Sequence, residues 1–171
     1  RHVARGAAVV RVAALHGLNR AMVAQGLKVM ARRENVGMAA LIDAARLTRA
    51  PTCSDLGFAL GPRINAGGRV GESTLGVRLL TTEDPDEARD IAEQLSRLNE
   101  ERRGIEAVVQ EEAEAQIAGQ HNRSVLVLAG NGWHPGVIGI VAGRIKEKAG
   151  KPALVIALDA DEAGNGKGSG R

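Results

Sequence analysis

Glu83-Asp84-Pro85-Asp86-Glu87 is the stretch from which the fold can be read. Asp84 has the short side chain of a helix N-cap. Pro85 suits the first helical position, where a missing N–H costs nothing, and Asp86 and Glu87 place negative charge at the positive end of the helix. Downstream, Ala88, Ile91, Leu95, Leu98, Ile105 and Val109 recur at helical spacing, with Glu and Arg filling the other positions as far as Gln116-Ile117. From Pro85 to Ala118 the helix would contain 34 residues, roughly 50 Å at ~1.5 Å per residue. So long a helix with so narrow an apolar face cannot bury itself in one small domain, and is expected to connect two lobes.

Beyond this helix the pattern changes. Ser124 to Ala129 reads as a short apolar strand, Gly136 to Ala149 as a helix with Ile138, Val141, Ala142 and Ile145 inward, and Ala153 to Leu158 as a second strand. This is a βαβ unit, with parallel strands and a right-handed crossover expected. Asn131-Gly132-Trp133-His134-Pro135-Gly136 would lie at the carboxyl edge of the sheet, with N–H groups of the helix start free to face an anion. Asp159 to Gly166 reads as a polar loop, and Gly166-Lys167-Gly168-Ser169-Gly170-Arg171 as a functional Gly/Arg loop.

Upstream of Glu83 the chain is helical in short pieces. Val9 to Val12 is a candidate strand; Met22, Val23, Leu27 and Met30 mark a helix; and a second helix spans about Met38 to Ala45. Thr52 or Ser54 could cap a helix running to Leu60, which Gly61-Pro62 would stop. Gly61-Pro62-Arg63-Ile64-Asn65-Ala66-Gly67-Gly68-Arg69 is then expected as a loop with two guanidiniums and a carboxamide among glycines, a pattern suited to an oxyanion. A surface loop with turn glycines fits the same residues. Ser73 to Thr81 resumes as a helix with Leu75, Leu79 and Leu80 inward.

Composition bounds the function. A chain of 171 residues that is 44% apolar supports one ordinary domain or two small ones. Phe58 and Trp133 are its only aromatic residues, which argues against a stacking platform for bases. Residues 1 to 78 carry 12 bases and 4 acids, residues 79 to 123 carry 5 and 12, and residues 124 to 171 carry 6 and 4. Basic flanks around an acidic centre suit a protein that meets a polyanion with both ends; a solvated acidic helix between two domains gives the same balance. The single cysteine, Cys53, excludes an internal disulfide and is expected to be a buried or half-buried apolar residue. No apolar run approaches the ~20 residues that span a bilayer, so the chain is read as cytoplasmic.

Chemistry is less evident from residues alone. No G-x-G-x-x-G turn occurs at Gly130 to Gly136, Ser169, His134 and Cys53 lack a hydrolase context, and His2, His16, His121 and His134 are scattered. The segment binds an anion more readily than it cleaves a bond.

The run Asp55 to Arg69 resembles the central motif of the RecJ-type single-strand-specific DNA exonucleases of the DHH phosphoesterase family. The resemblance continues through Leu98-Asn99-x-x-Arg102, through Trp133-His134-Pro135-Gly136-Val137-Ile138-Gly139-Ile140, and into Lys167-Gly168-Ser169-Gly170-Arg171. It implies an α/β chain: the helical C-terminal part of a DHH lobe (residues 1–82), a long connector helix (83–119) and a partial parallel βαβ DHHA1 lobe (120–171). It further implies that Arg63 or Arg69, with Ser169, Arg171 and the backbone of Gly168 and Gly170, grips a DNA phosphate near a 5′ end. Asn65 and His134 would line the cleft beside the scissile bond, with Arg63 and His134 assisting the developing charge. The complete enzyme would use two Mn²⁺ or Mg²⁺ ions to hydrolyse the single strand in 5′ to 3′ direction. Single-strand-binding protein or a helicase are the partners implied, for a monomer.

The family's Asp-His-His motif is absent, and the position of a further metal-ligating Asp falls on Arg11. An Arg there would repel a divalent cation. Residues 1 to 14 match poorly, as a truncated or frame-shifted start would, and the far end lacks the rest of the DHHA1 lobe. Two function classes follow: a part of a nuclease, inactive alone and without bound metal, or a non-catalytic phosphate-binding module. A hydrolase of short oligonucleotides is a third.

Overall fold

A computed structural model describes residues 17–120, 122–159 and 165–171. The candidate strand at Val9 to Val12 and most of the Asp159 to Gly166 loop lie outside the described residues. The elements in chain order are α1 (Gly17–Arg32), α2 (Val36–Ala44), α3 (Cys53–Asp55), α4 (Gly61–Val70), α5 (Leu75–Thr81), α6 (Pro85–Ile117), β1 (Leu126–Asn131), α7 (Pro135–Ala149), β2 (Ala153–Leu158) and β3 (Gly166–Gly170).

α6 begins as its sequence dictates: the Asp84 carboxylate accepts the N–H groups of Asp86 and Glu87, and Pro85 occupies the first turn. Its 33 residues serve two separate cores. The first half, with Ala88, Ile91, Ala92 and Leu95, packs against Leu41, Ile42, Leu60, Leu75 and Leu79. The second half, with Val109 and Ala113, packs against Leu126, Leu128, Val137, Val141, Ile145 and Val155. The stripe advances by alternating steps of four and three residues, the heptad-like period of one straight face. Between the cores the same face carries Asn99, Arg102 and Glu106, and Asn99 and Glu106 are buried. The expectation that the Glu and Arg positions outside the apolar stripe are solvated is therefore corrected at Glu106.

β1 and β2 pair in parallel, Leu126 opposite Ala153 to Asn131 opposite Leu158. This is the expected βαβ unit around α7, with β1 shifted two residues downstream of its expected start. The Gly166 to Arg171 loop is instead strand β3, antiparallel to β2 with Val155 opposite Ser169 and Leu158 opposite Gly166. Glycines carry no side-chain β signal, so pairing with β2 decides what the local sequence leaves open.

Upstream, Thr52 caps α3, and its side chain and that of Asp55 form a reciprocal capping box. Arg49 donates to both Asp55 oxygens at 2.7 and 3.1 Å. This fork, followed by the Thr52 hydroxyl and N–H, holds the Asp55 carboxyl well below the usual carboxylate range. Gly61-Pro62 does not stop the helix. A π turn over Leu56–Leu60 joins α3 to α4, and the Gly61 N–H reaches back to the Leu56 carbonyl. In an unbroken α-helix the Pro62 ring would collide with a carbonyl four residues back; the wider turn relieves that collision and lets the helix continue. Leu80, expected inward, is 37% exposed, and Cys53 is exposed at the start of α3. α1 has the apolar spacing but buries none of its residues. No helix among the described residues is long and apolar enough to cross a membrane.

The outer edge of β1 is closed by two side chains. Gln116 donates to the Ala129 carbonyl (2.9 Å) and accepts its N–H (3.1 Å), while Gln120 does the same at Val127 (2.7 and 3.0 Å). Four helical residues rise at least ~6 Å, here from the end of α6 through a 3₁₀ turn at Ala118–Gln120, and two strand residues ~6.6 Å, so amides four apart match edge positions two apart. Each amide replaces the hydrogen bonds of a neighbouring strand and masks an aggregation-prone edge. Replacing both, Gln116→Ala with Gln120→Ala, is expected to cost about 1–3 kcal/mol in urea unfolding and to raise self-association in light scattering; unchanged stability and a monodisperse chain would contradict this role.

Candidate functional site

The nine residues expected as a loop are helical, and this rearranges their side chains. At ~100° per residue, Arg63 lies about 200° around α4 from Asn65, whereas Asn65 and Arg69 share a face. Arg63 turns to α6: its Nε donates to Ser96 Oγ (3.1 Å) and Nη1 to the Ala59 carbonyl (2.7 Å). Burial pushes its guanidinium down from the ordinary value, with Glu100 opposing and Arg103 adding. Arg63 thus staples α4 to α6 instead of joining Arg69. Asn65 is exposed and lines a shallow hollow of about 300 Å³ with Gly68, Ser73 and Val77.

Arg69 reaches the second core. Its Nη1 donates to the Gly136 carbonyl at 3.0 Å, across 67 positions of sequence. The main chains touch at the same point: a methyl group on Gly136 would overlap the Arg69 carbonyl oxygen. Only a glycine lets the end of α4 approach the start of α7 so closely.

His134 is the N-cap of α7, with Pro135 in the first turn. Its Nδ1 accepts the Gly136 N–H at 3.0 Å. That N–H is therefore not left facing an anion, contrary to the sequence expectation. The neutral ring then carries its proton on Nε2, which makes that nitrogen a donor.

Ser169 and Arg171 approach α7 one turn further along. A methyl group at Gly139 would lie 3.2 Å from Ser169 Oγ and 3.4 Å from Arg171 Nη2. Because side chains alternate along a strand, Gly168 and Gly170 face the other side of the sheet, toward Leu154 and Ile156. Any contribution of theirs is main-chain only. The first two turns of α7 are therefore approached by four groups: Arg69 from α4 and His134 from the helix's own cap at Gly136, and Ser169 of β3 and Arg171 just after it at Gly139. Arg63 is held elsewhere, and Asn65 shares only the face of Arg69.

Sequence reasoning missed the polar waist of α6. Glu106 is 2% exposed and is ion-paired to Arg102 on its own helix and to Arg144 on α7. Arg102 also donates to Asn99 Oδ1 at 3.1 Å, and Arg144 to Gln110 Oε1 at 2.8 Å. The signal that could have found it is the spacing: 95, 99, 102, 106 and 109 continue the apolar stripe. A metal centre has no such basis: among the described residues no three His, Cys, Asp or Glu side chains gather as ligands, so the residues present do not fit the two ions of the resemblance. Arg11 lies outside the described residues.

Comparison with known proteins matches the segment 122–171 to the DHHA1 domain. The chain is 41% identical over 173 residues to the single-stranded-DNA-specific exonuclease RecJ of Dickeya dadantii strain 3937, covering 95% of this chain and 29% of that protein. It is 40% identical over 171 residues to RecJ of Escherichia coli K12, with the same coverage. Among solved structures, RecJ of Thermus thermophilus in complex with Mg²⁺ aligns with a TM-score of 0.78 at 35% identity, covering 86% of this chain and 23% of that one. An exonuclease RecJ bound to manganese aligns with a TM-score of 0.75 at 36% identity, covering 86% and 37%. The chain thus spans less than a third of the length of the curated relatives it matches.

The contact between α4 and α7 makes a direct prediction. Gly136→Ala forces a methyl group against main chain that cannot rotate away, and is expected to destabilise the chain by about 1–3 kcal/mol in urea unfolding. Wild-type stability in that variant would contradict the close approach.

Proposed function

We propose that this chain, similar along almost all of its length to a segment of the RecJ exonucleases, is the middle part of such a nuclease. In this reading residues 1–82 belong to the DHH lobe, 83–119 to the connector and 120–171 to the DHHA1 lobe. The segment holds the sugar-phosphate backbone of a single DNA strand near its 5′ end at the first two turns of α7. The observation that carries this reading is the approach of four groups to the first two turns of α7, Arg69 and His134 at Gly136 and Ser169 and Arg171 at Gly139. Two guanidiniums, a hydroxyl and an imidazole N–H suit a phosphate group. The basic flanks noted in the sequence each supply one of the two guanidiniums.

The complete enzyme hydrolyses the phosphodiester with Mn²⁺ or Mg²⁺, which supplies an activated water when bound, and acts in repair and recombination. This chain's own residues contribute binding and orientation: Arg69 and Arg171 neutralise phosphate charge, and Ser169 Oγ and His134 Nε2 donate to its oxygens. No step of bond cleavage is assigned to them, and the chain alone is expected to be inactive. The enzyme works in the cytoplasm as a monomer, on strands presented by single-strand-binding protein or a helicase.

The test is fluorescence anisotropy with a 5′-phosphorylated single strand. Binding should weaken with salt, with a log–log slope of about −1.4 to −2.1 for two to three neutralised phosphates. Arg171→Ala should weaken it about 10- to 100-fold, as loss of a charged hydrogen bond does. Salt-independent binding, or an Arg171→Ala variant that binds like wild type, would contradict the phosphate reading. Release of mononucleotides by the 171-residue chain with Mn²⁺ would contradict its inactivity.

A further inference from the structure

We infer that Gly139 is a positioning residue for this phosphate seat: by having no side chain, it lets Ser169 and Arg171 close onto the second turn of α7. The inference rests on the proposed phosphate-binding reading and goes beyond it, since Gly139 itself offers no group to a ligand.

Three observations support it. The space that a methyl group at Gly139 would take is bounded by Ser169 Oγ at 3.2 Å, Arg171 Nη2 at 3.4 Å and Ser169 Cβ at 3.8 Å. The two residues expected to meet the phosphate are thus the ones that the missing side chain admits. Ser169 is also the one residue of β3 that is not fully exposed. It faces α7 because it pairs with Val155, whose side chain lies in the core beneath α7.

Two other glycines on α7 provide contrasts. Gly136, one turn before, is hemmed in by main chain, so substitution there strains the fold. Gly143, one turn after, has no atom within 4 Å of the position a methyl group would take. Gly139 stands between them in kind as well as in place. What it faces are side-chain ends, a hydroxyl and a guanidinium, which can swing aside. A side chain there is accommodated by the fold, and the accommodation consists of moving the two groups that bind phosphate. Helix propensity favours Ala and Leu over Gly, so neither substitution weakens α7 itself.

The experiment is a double-mutant cycle in the 171-residue chain, read by anisotropy with the same 5′-phosphorylated single strand and with far-UV circular dichroism to follow folding. Gly139→Ala should weaken binding about three- to tenfold, within the range of coupling between neighbouring residues, and Gly139→Leu should weaken it further. Gly143→Leu, the matched control, should bind as wild type does. In a background with both Ser169→Ala and Arg171→Ala, Gly139→Ala should add less than about twofold, because the two groups it displaces are already gone. Wild-type affinity in Gly139→Leu beside a weakened Arg171→Ala overturns the role of Gly139 and leaves the phosphate reading standing, as does full additivity in the cycle. If Arg171→Ala binds as wild type does, the phosphate reading and the role of Gly139 both fall. If Gly139→Leu loses helix content, Gly139→Ala decides alone, through its coupling to the pair Ser169 and Arg171.

Discussion

One helix has to satisfy two cores with a single buried face, and that requirement shapes most of the molecule. α6 presents Ala88 to Leu95 to the first core and Val109 to Ala113 to the second. Its face cannot be apolar where neither core covers it, and there it carries Asn99, Arg102 and Glu106. The Glu106 carboxylate is removed from water yet sits between the guanidiniums of Arg102 and Arg144. Burying a charge is tolerable only with such partners, and stripping one of them from a buried pair typically costs ~3–5 kcal/mol. The arrangement ties α7 to the middle of α6 by charge where apolar packing ends. Arg144 with Gln110, and Lys148 with Glu114, extend that lacing along the second half of the helix.

The site follows from this frame. α4 is fastened to α6 by Arg63 and Ser96, and α7 by the charges around Glu106. With both helices referred to the same rod, the end of α4 meets the start of α7 at Arg69 and Gly136. β3 then brings Ser169 and Arg171 to the next turn by pairing with β2. Elements on opposite sides of the connector thereby contribute to one helix start. Neither core contains that set of groups by itself.

How much of this was legible depended on whether the deciding forces were local. The Asp84-Pro85 start of α6 was readable because capping and proline placement act within a few residues. The parallel pair β1 and β2 was readable from two apolar runs flanking a helical one. Gly61-Pro62 misled because proline alone suggests a stop, whereas the π turn over Leu56–Leu60 gives its ring room and the helix continues. That single difference moved Arg63 to the side opposite Asn65 and Arg69. β3 was read as a loop because three of its five residues are glycine, and only its partner strand makes it extended. Glu106 was assigned to solvent as any isolated glutamate would be, although its place in the four-and-three spacing marked it as inward. Cys53 was expected inside for its residue type, but lies exposed in the first turn of α3.

α6 fixes the two cores in one relation, and the groups at the first two turns of α7 stay assembled for that reason. The most direct measurement is the distance distribution between two spin labels, one on the native Cys53 and one on an introduced Glu147→Cys, by pulsed electron double resonance. A rigid rod shared by both cores predicts one narrow peak. A broad or two-peaked distribution would show the cores moving independently, with no single rod setting their relation.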